Sequence, residues 1–318
     1  MPISAENPVT YEGAELGKYL FYDAILSQNY KMSCASCHKQ SQAFSDAPNA
    51  FSVGNQQILS KRNTQPLFNL AWYPAFFWDG RAKTLEKQVF HPVRDANEMN
   101  LNWQEAEKRV RKSKFYQKKF RLAFGEEKID SILISKAIGQ FMRTLLSYNS
   151  KFDRVLARKD TLTKAEYEGL VLMNDMTKGD CLHCHSTDGD ALGTMRIFSN
   201  NGLDAIFETQ KYTDKGLGST TQKLQDNGKF KVPSVRNLAF TAPYMHDGRF
   251  ATLEQVLDFY SEGVFLSANI DAKMASAHQK GVHLTEEEKK NIIAFLKTLN
   301  DSSFVKNAEF ANPFREGK

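Results

Sequence analysis

Hydrophobic residues recur at helical spacing in several stretches of the chain, and polar residues at the starts of those stretches supply caps. The clearest stretch lies near the C-terminus. Thr285-Glu286-Glu287-Glu288 forms a capping box, and Ile292, Phe295, Leu296 and Leu299 follow on one face, which predicts an amphipathic helix. Thr163-Lys164-Ala165-Glu166 is a second capping box, opening a helix through Leu170 and Val171 toward Cys181. Leu16, Tyr19 and Leu20 predict a helix ahead of Cys34, and residues 132–148 and 252–260 read as further helices. No run alternates in the manner of a sheet, and no 18-residue apolar run is long enough to span a bilayer. Residues 300–318 are polar, include Pro313, and are expected to pack as an extended tail on the first half of the chain. The pattern predicts a mainly α fold with long loops.

The chain repeats itself at a constant offset of 168 residues. Asn69-Leu70-Ala71 recurs as Asn237-Leu238-Ala239, Asp79-Gly80-Arg81 as Asp247-Gly248-Arg249, and Thr84-Leu85-Glu86 as Thr252-Leu253-Glu254. Three triplets in one register point to an internal duplication. With 318 residues, the chain has length for two domains, each with its own core, and the division expected is 1–150 and 151–318.

Composition is that of a globular protein, with 41% hydrophobic and 25% charged residues and a net charge of +5. The basic residues are dispersed, which gives no support to nucleic-acid binding. The run Lys108-Arg109-Val110-Arg111-Lys112-Ser113-Lys114 is read as the solvated face of a helix, with docking of an acidic redox partner as the alternative.

The four cysteines all fall in two CxxCH motifs, Cys34-Ala35-Ser36-Cys37-His38 and Cys181-Leu182-His183-Cys184-His185. Each reads as a c-type haem attachment site. The two thiols add across the vinyl groups of one porphyrin, and the adjoining imidazole is placed as the proximal iron ligand. A zinc site or a disulfide framework would use the cysteine pairs but leave the histidines unexplained. The fold expected is therefore two cytochrome c-like helical haem domains related by duplication. Attachment of this kind normally occurs outside the bacterial cytoplasm, so a periplasmic location is expected, with the signal segment not evident in Met1-Pro2-Ile3-Ser4.

The order of motifs resembles the bacterial dihaem cytochrome c peroxidase and MauG family. These are a CxxCH, then Arg62-Asn63-Thr64, Phe77-Trp78-Asp79-Gly80-Arg81, Asn97-Glu98-Met99, a second CxxCH, and Thr241-Ala242-Pro243-Tyr244-Met245-His246-Asp247-Gly248-Arg249. The resemblance implies reduction of hydrogen peroxide at the N-terminal haem, with electrons passed through the C-terminal haem. It places Trp78 between the haems as an electron relay. It places Gln88, Pro92 and Glu98 in the peroxide pocket, with Glu98 as acid and base. It also implies a calcium ion on Asn63, Thr241 and Pro243, oxygen donors of the type calcium accepts. The partners implied are a small cytochrome or cupredoxin as electron donor, or a protein substrate, and a homodimer is expected.

Two positions depart from the peroxidase pattern. Where many family members carry a ligating histidine in a Gly-His loop, this chain has Ser52-Val53-Gly54-Asn55, so the first haem is expected to be open. Tyr260 stands fourteen residues after His246, where many peroxidases carry a ligating methionine and MauG-like members a tyrosine. Tyr260 is thus the candidate ligand of the second haem iron, with Met245 and Met274 as alternatives. Phenolate is a hard anionic donor that stabilises the oxidised metal, which favours MauG-like oxidation of a protein substrate as the second functional reading. A plain electron-transfer dihaem cytochrome is the third. His91 is expected at the pocket edge or as a structural residue, His246 in packing near the haems, and His278 and His283 toward solvent.

Overall fold

The computed structural model describes residues 4–125, 128–186, 197–276 and 281–314; His278 lies outside them. The chain forms two compact units, one of Met1–Trp72, Ala82–Ser147 and Ser303–Lys318, the other of Tyr73–Arg81 and Tyr148–Ser302. About 48% of the structure is helical, with few strands, so the mainly α fold holds.

The first unit contains α1 (Tyr11–Tyr22), α2 (Cys34–Cys37), α3 (Leu85–Arg94), α4 (Trp103–Lys112), α5 (Lys114–Phe124) and α6 (Ser131–Thr144). Thr10 caps α1 by accepting from Gly13 N, and Asp130 caps α6 by accepting from Leu133 N, each satisfying a donor that the first helical turn leaves open. α1 crosses α6 at Gly17. A Cβ there would lie 1.9 Å from the Ala137 carbonyl oxygen, so only glycine permits this approach. Around the crossing Leu16, Leu20, Phe21, Ile138 and Phe141 are buried, and the Phe21 and Phe141 rings meet edge-on at 5.3 Å.

The second unit contains α7 (Lys151–Leu156), α8 (Lys164–Asn174), α9 (Cys181–Cys184), α10 (Gly218–Thr221), α11 (Leu253–Asp258), α12 (Ala272–Ser276) and α13 (Glu286–Thr298). Its one described sheet has two strands of two residues each, β1 (Phe198–Ser199) antiparallel to β2 (Phe230–Lys231). The capping boxes at Thr163 and Thr285 both form. α8 crosses α13 at Gly169, where a Cβ would lie 2.0 Å from the Asn291 carbonyl oxygen. The core beside it holds Phe152, Met173, Leu257, Ile292, Phe295, Leu296 and Leu299. Each unit therefore builds its core on a glycine-mediated crossing of an early helix with a late one.

Three expectations need correction. The basic run does not occupy one helix. Ser113 ends α4 and caps α5, because its hydroxyl accepts from the Tyr116 amide. The tail is not extended throughout: Ser302–Lys306 is a helix and Ala308–Phe310 a 3-10 turn, since Phe304 and Phe310 are buried and Tyr22 Oη donates to the Phe310 carbonyl at 2.7 Å. The helix expected over 252–260 stops as an α-helix at Asp258 and continues as a π-turn, Phe259–Gly263, which contains Tyr260.

Candidate functional site

Each CxxCH sequence folds into one helical turn, closed by the histidine amide donating back to the first cysteine carbonyl, at 2.9 Å for His38 and 2.8 Å for His185. None of the four cysteines is in a disulfide. His38 Nδ1 lies 2.7 Å from the Phe44 carbonyl oxygen, and His185 Nδ1 lies 2.8 Å from that of Pro233. Donation from Nδ1 fixes the tautomer in which Nε2 carries the free lone pair. Burial lowers the pKa of both imidazoles, against the opposing pull of those carbonyls, which keeps them neutral and able to ligate. Paired thiols with an oriented neutral imidazole alongside are the donor set a c-type haem needs, so the residues fit that group at both sites.

In the first unit, α3 carries Gln88 and, one turn on, Pro92, both half-buried. These sit on one helix face by their i, i+4 spacing. After α3 the chain turns back, and the Met99 amide donates to the Pro92 carbonyl at 3.1 Å. Glu98 lies in that turn. Burial, chiefly, pushes the Cys34 thiol up to about 12 and the Cys37 thiol up to about 11; the Glu98 carboxylate adds to both shifts. The carboxylate is thus near enough to the cysteine pair for its charge to be felt there. Asn55 is joined to the same turn, its amide donating to the Glu98 carbonyl at 2.8 Å. His91 is exposed in the last turn of α3.

Around the second motif, Met245, Tyr260 and Met274 pack against one cluster of Leu203, Phe259 and Val264. All three candidate ligands therefore share a neighbourhood. Burial pushes the Tyr260 hydroxyl up to about 12; Asn201 opposes this by hydrogen bonding, and the Cys181 and Cys184 charges reinforce it. Tyr260 thus lies within electrostatic reach of the second cysteine pair. His246 is buried and stacked on Phe230 at 3.7 Å, and His283 is exposed.

Trp78 belongs to the second unit, where its carbonyl accepts from the Lys231 amide at 2.8 Å. Of the expected calcium positions, Asn63 donates through Nδ2 to the Ala50 carbonyl at 3.1 Å, and Thr241 is buried two residues ahead of Pro243. Sequence reasoning missed Asn201, Gln28 and the Phe44 and Pro233 carbonyls. The carbonyls leave no trace in residue type, and the two amides stand in loops without a motif.

The di-haem cytochrome c peroxidase family model matches residues 11–161. Methylamine utilization protein MauG of Methylophilus methylotrophus is 32% identical over 94% of this chain and 86% of its own length. The chain belongs to the dihaem cytochrome c peroxidase and MauG family. Cytochrome c551 peroxidase of Nitrosomonas europaea is 35% identical over 94% of this chain and 83% of its length. Among solved structures, a MauG-like protein associated with microbial copper homeostasis superposes with a TM-score of 0.89 at 34% identity, covering 98% of this chain and 96% of the other. Family membership makes the chain a dihaem peroxidase-like oxidoreductase and implies two c-type haems. Among the described residues no helix is long and apolar enough to cross a membrane.

Proposed function

We propose that this member of the family reduces hydrogen peroxide beside Cys34, Cys37 and His38, and that the site around Cys181, Cys184, His185 and Tyr260 takes in the electrons, with Trp78 as relay. The observation that carries this is the position of Glu98, in the turn that the Met99 amide closes onto the Pro92 carbonyl and that Asn55 holds by donating its amide to the Glu98 carbonyl. Bound haem supplies the redox chemistry, with His38 and His185 as its protein ligands. The overall reaction takes up two electrons and two protons per peroxide and releases two waters. Glu98, as carboxylate, accepts a proton from one peroxide oxygen and delivers it to the other, which leaves as water. Gln88 donates a hydrogen bond that orients the peroxide, and Pro92, which has no side-chain donor, lines the pocket without competing for iron. Asn55 in place of a histidine keeps the site open.

The second reading is MauG-like oxidation of a protein substrate. Tyr260 favours it, because a phenolate ligand stabilises the oxidised metal. Relatives named for either activity match at 32% and 35% identity, so similarity alone does not separate the two. Under the first reading the donor is a small cytochrome or cupredoxin. A periplasmic location, and calcium on Asn63, Thr241 and Pro243, belong to the same proposal and rest on correspondence with the family.

The test is Glu98→Gln. Peroxide should react about 10²-fold or more slowly, the usual scale for losing a general acid and base, with both haems still attached. Unchanged peroxide kinetics would remove Glu98 from the mechanism.

A further inference from the structure

Four consecutive residues around Glu98 are pinned by segments distant in sequence, and Gln28 is the hub. Its main-chain amide donates to the Met99 carbonyl at 2.9 Å. Its side-chain Oε1 accepts from Asn100 Nδ2 at 2.9 Å and from Asn55 Nδ2 at 3.2 Å. Asn55 in turn donates its main-chain amide to the Glu98 carbonyl at 2.8 Å. Gly54 lies so close to the Asn97 carbonyl that a Cβ would sit 1.6 Å from its oxygen. Gln28 is itself held from behind. Arg109 donates to the Ser27 carbonyl at 2.7 Å and the Gln28 carbonyl at 3.2 Å, and stacks over Tyr30 at 4.1 Å. Arg109 is therefore not part of the solvated face that the basic run suggested.

A turn after a helix has no regular hydrogen-bond ladder to fix it, so its side-chain directions depend on such outside contacts. The Asp95 cap supplies a local contribution, accepting from the Glu98 amide at 3.0 Å. Further local bonds run from the Asn100 amide to the same Asp95 carbonyl at 3.0 Å, from the Asn97 amide to the Asp95 side chain at 2.8 Å and from the Met99 amide to the Pro92 carbonyl at 3.1 Å, and Gln28, Gly54 and Asn55 add constraints from distant segments. Displacing a catalytic carboxylate by about 1 Å can cost as much as 10²-fold in rate, so this clasp bears on chemistry as well as stability.

We infer that Gln28 is a positioning residue for Glu98, clasping the 97–100 turn and the Asn55 loop through one shared amide oxygen. The inference rests on Glu98 being the acid and base proposed above. Because Gln28 Oε1 only accepts, Gln28→Glu keeps the clasp, whereas Gln28→Met keeps the length and loses the acceptor.

The experiment is a double-mutant cycle on the haem-loaded full chain, reading the second-order rate constant for hydrogen peroxide and its pH profile. Gln28→Met should slow the reaction about tenfold or more and shift the pH limb that Glu98 sets. Gln28→Glu should restore most of the rate, and Gln28→Met should add nothing to Glu98→Gln. If Gln28→Met gives too little holoprotein, Asn100→Gly removes one clasp donor while tolerating the left-handed backbone at φ 52°, and should slow the reaction in the same Glu98-dependent way. Equal slowing in both Glu98 backgrounds would show a merely structural effect and overturn the inference. A normal Gln28→Met rate beside a slow Glu98→Gln would overturn the clasp and leave Glu98 standing. A normal Glu98→Gln rate would overturn the functional reading itself.

Discussion

The side-chain amide of Asn201 donates to the Tyr260 hydroxyl at 3.1 Å. The same nitrogen lies 3.8 Å from the sulfur of Met245, so one amide attends two of the three candidate ligands in the second unit. Burial disfavours the phenolate, and this hydrogen bond is the contact that opposes it. A donor to the ligand oxygen is the outer contact that tunes a metal site.

Replacement of Tyr260 by phenylalanine should change the absorption and EPR spectra of the second haem. Tyr260→Met should raise its potential, because a thioether favours the reduced metal. Asn201→Leu should shift the potential less and have no effect in the Tyr260→Phe background. An unchanged spectrum in Tyr260→Phe, with a changed one in Met245→Leu or Met274→Leu, would move the ligand to methionine.

Covalent haem should be lost one group at a time. The Cys34→Ala/Cys37→Ala and Cys181→Ala/Cys184→Ala chains should each retain one haem after denaturation, measured by pyridine haemochrome and intact mass. A wild-type mass of protein plus zinc would rule out the dihaem assignment for these motifs.

Arg236 is fully buried, and its guanidinium pairs with Asp153, one contact being 3.0 Å. Burial alone would raise the Asp153 carboxyl, but Arg236 and Ser150 outweigh it and hold the group below its usual 3.8. The folded value is depressed, so the stabilisation is present above that pH and lost as pH falls below it. Asp153→Asn should destabilise the second unit by about 3–5 kcal/mol, since it strands a buried cation. Chemical denaturation at neutral pH checks the magnitude, and the same titration at acid pH should show the difference shrinking.

Gly54→Ala should weaken the first unit by about 1–3 kcal/mol, as overpacking does, because the new Cβ meets the Asn97 carbonyl. The rate with peroxide should fall as well, since the displaced backbone carries Glu98. A variant of native stability and rate would show that the loop relaxes without cost.

Much of this architecture was legible because its signals are local. The capping boxes at Thr163 and Thr285 and the apolar spacing behind them mark α8 and α13, and the CxxCH motifs mark their own helical turns. What could not be read depends on distant contacts. Gly17 and Gly169 look like ordinary helix-weakening glycines until the crossings with Ala137 and Asn291 are seen. Tyr260 sits in a π-turn, a local widening that periodicity does not encode. The segment Tyr73–Arg81, with Trp78, lies in the first half of the sequence yet folds with the second unit. Gln28 carries no motif, and its importance lies wholly in what meets it.

The central claim is that one site is open for peroxide while the other is closed by a protein ligand, and EPR of the resting ferric protein tests it most directly. The account predicts one high-spin signal, removed when a strong exogenous ligand such as cyanide binds, beside one low-spin signal that Tyr260→Phe alters. Two low-spin signals indifferent to added ligand would contradict it and leave an electron carrier in its place.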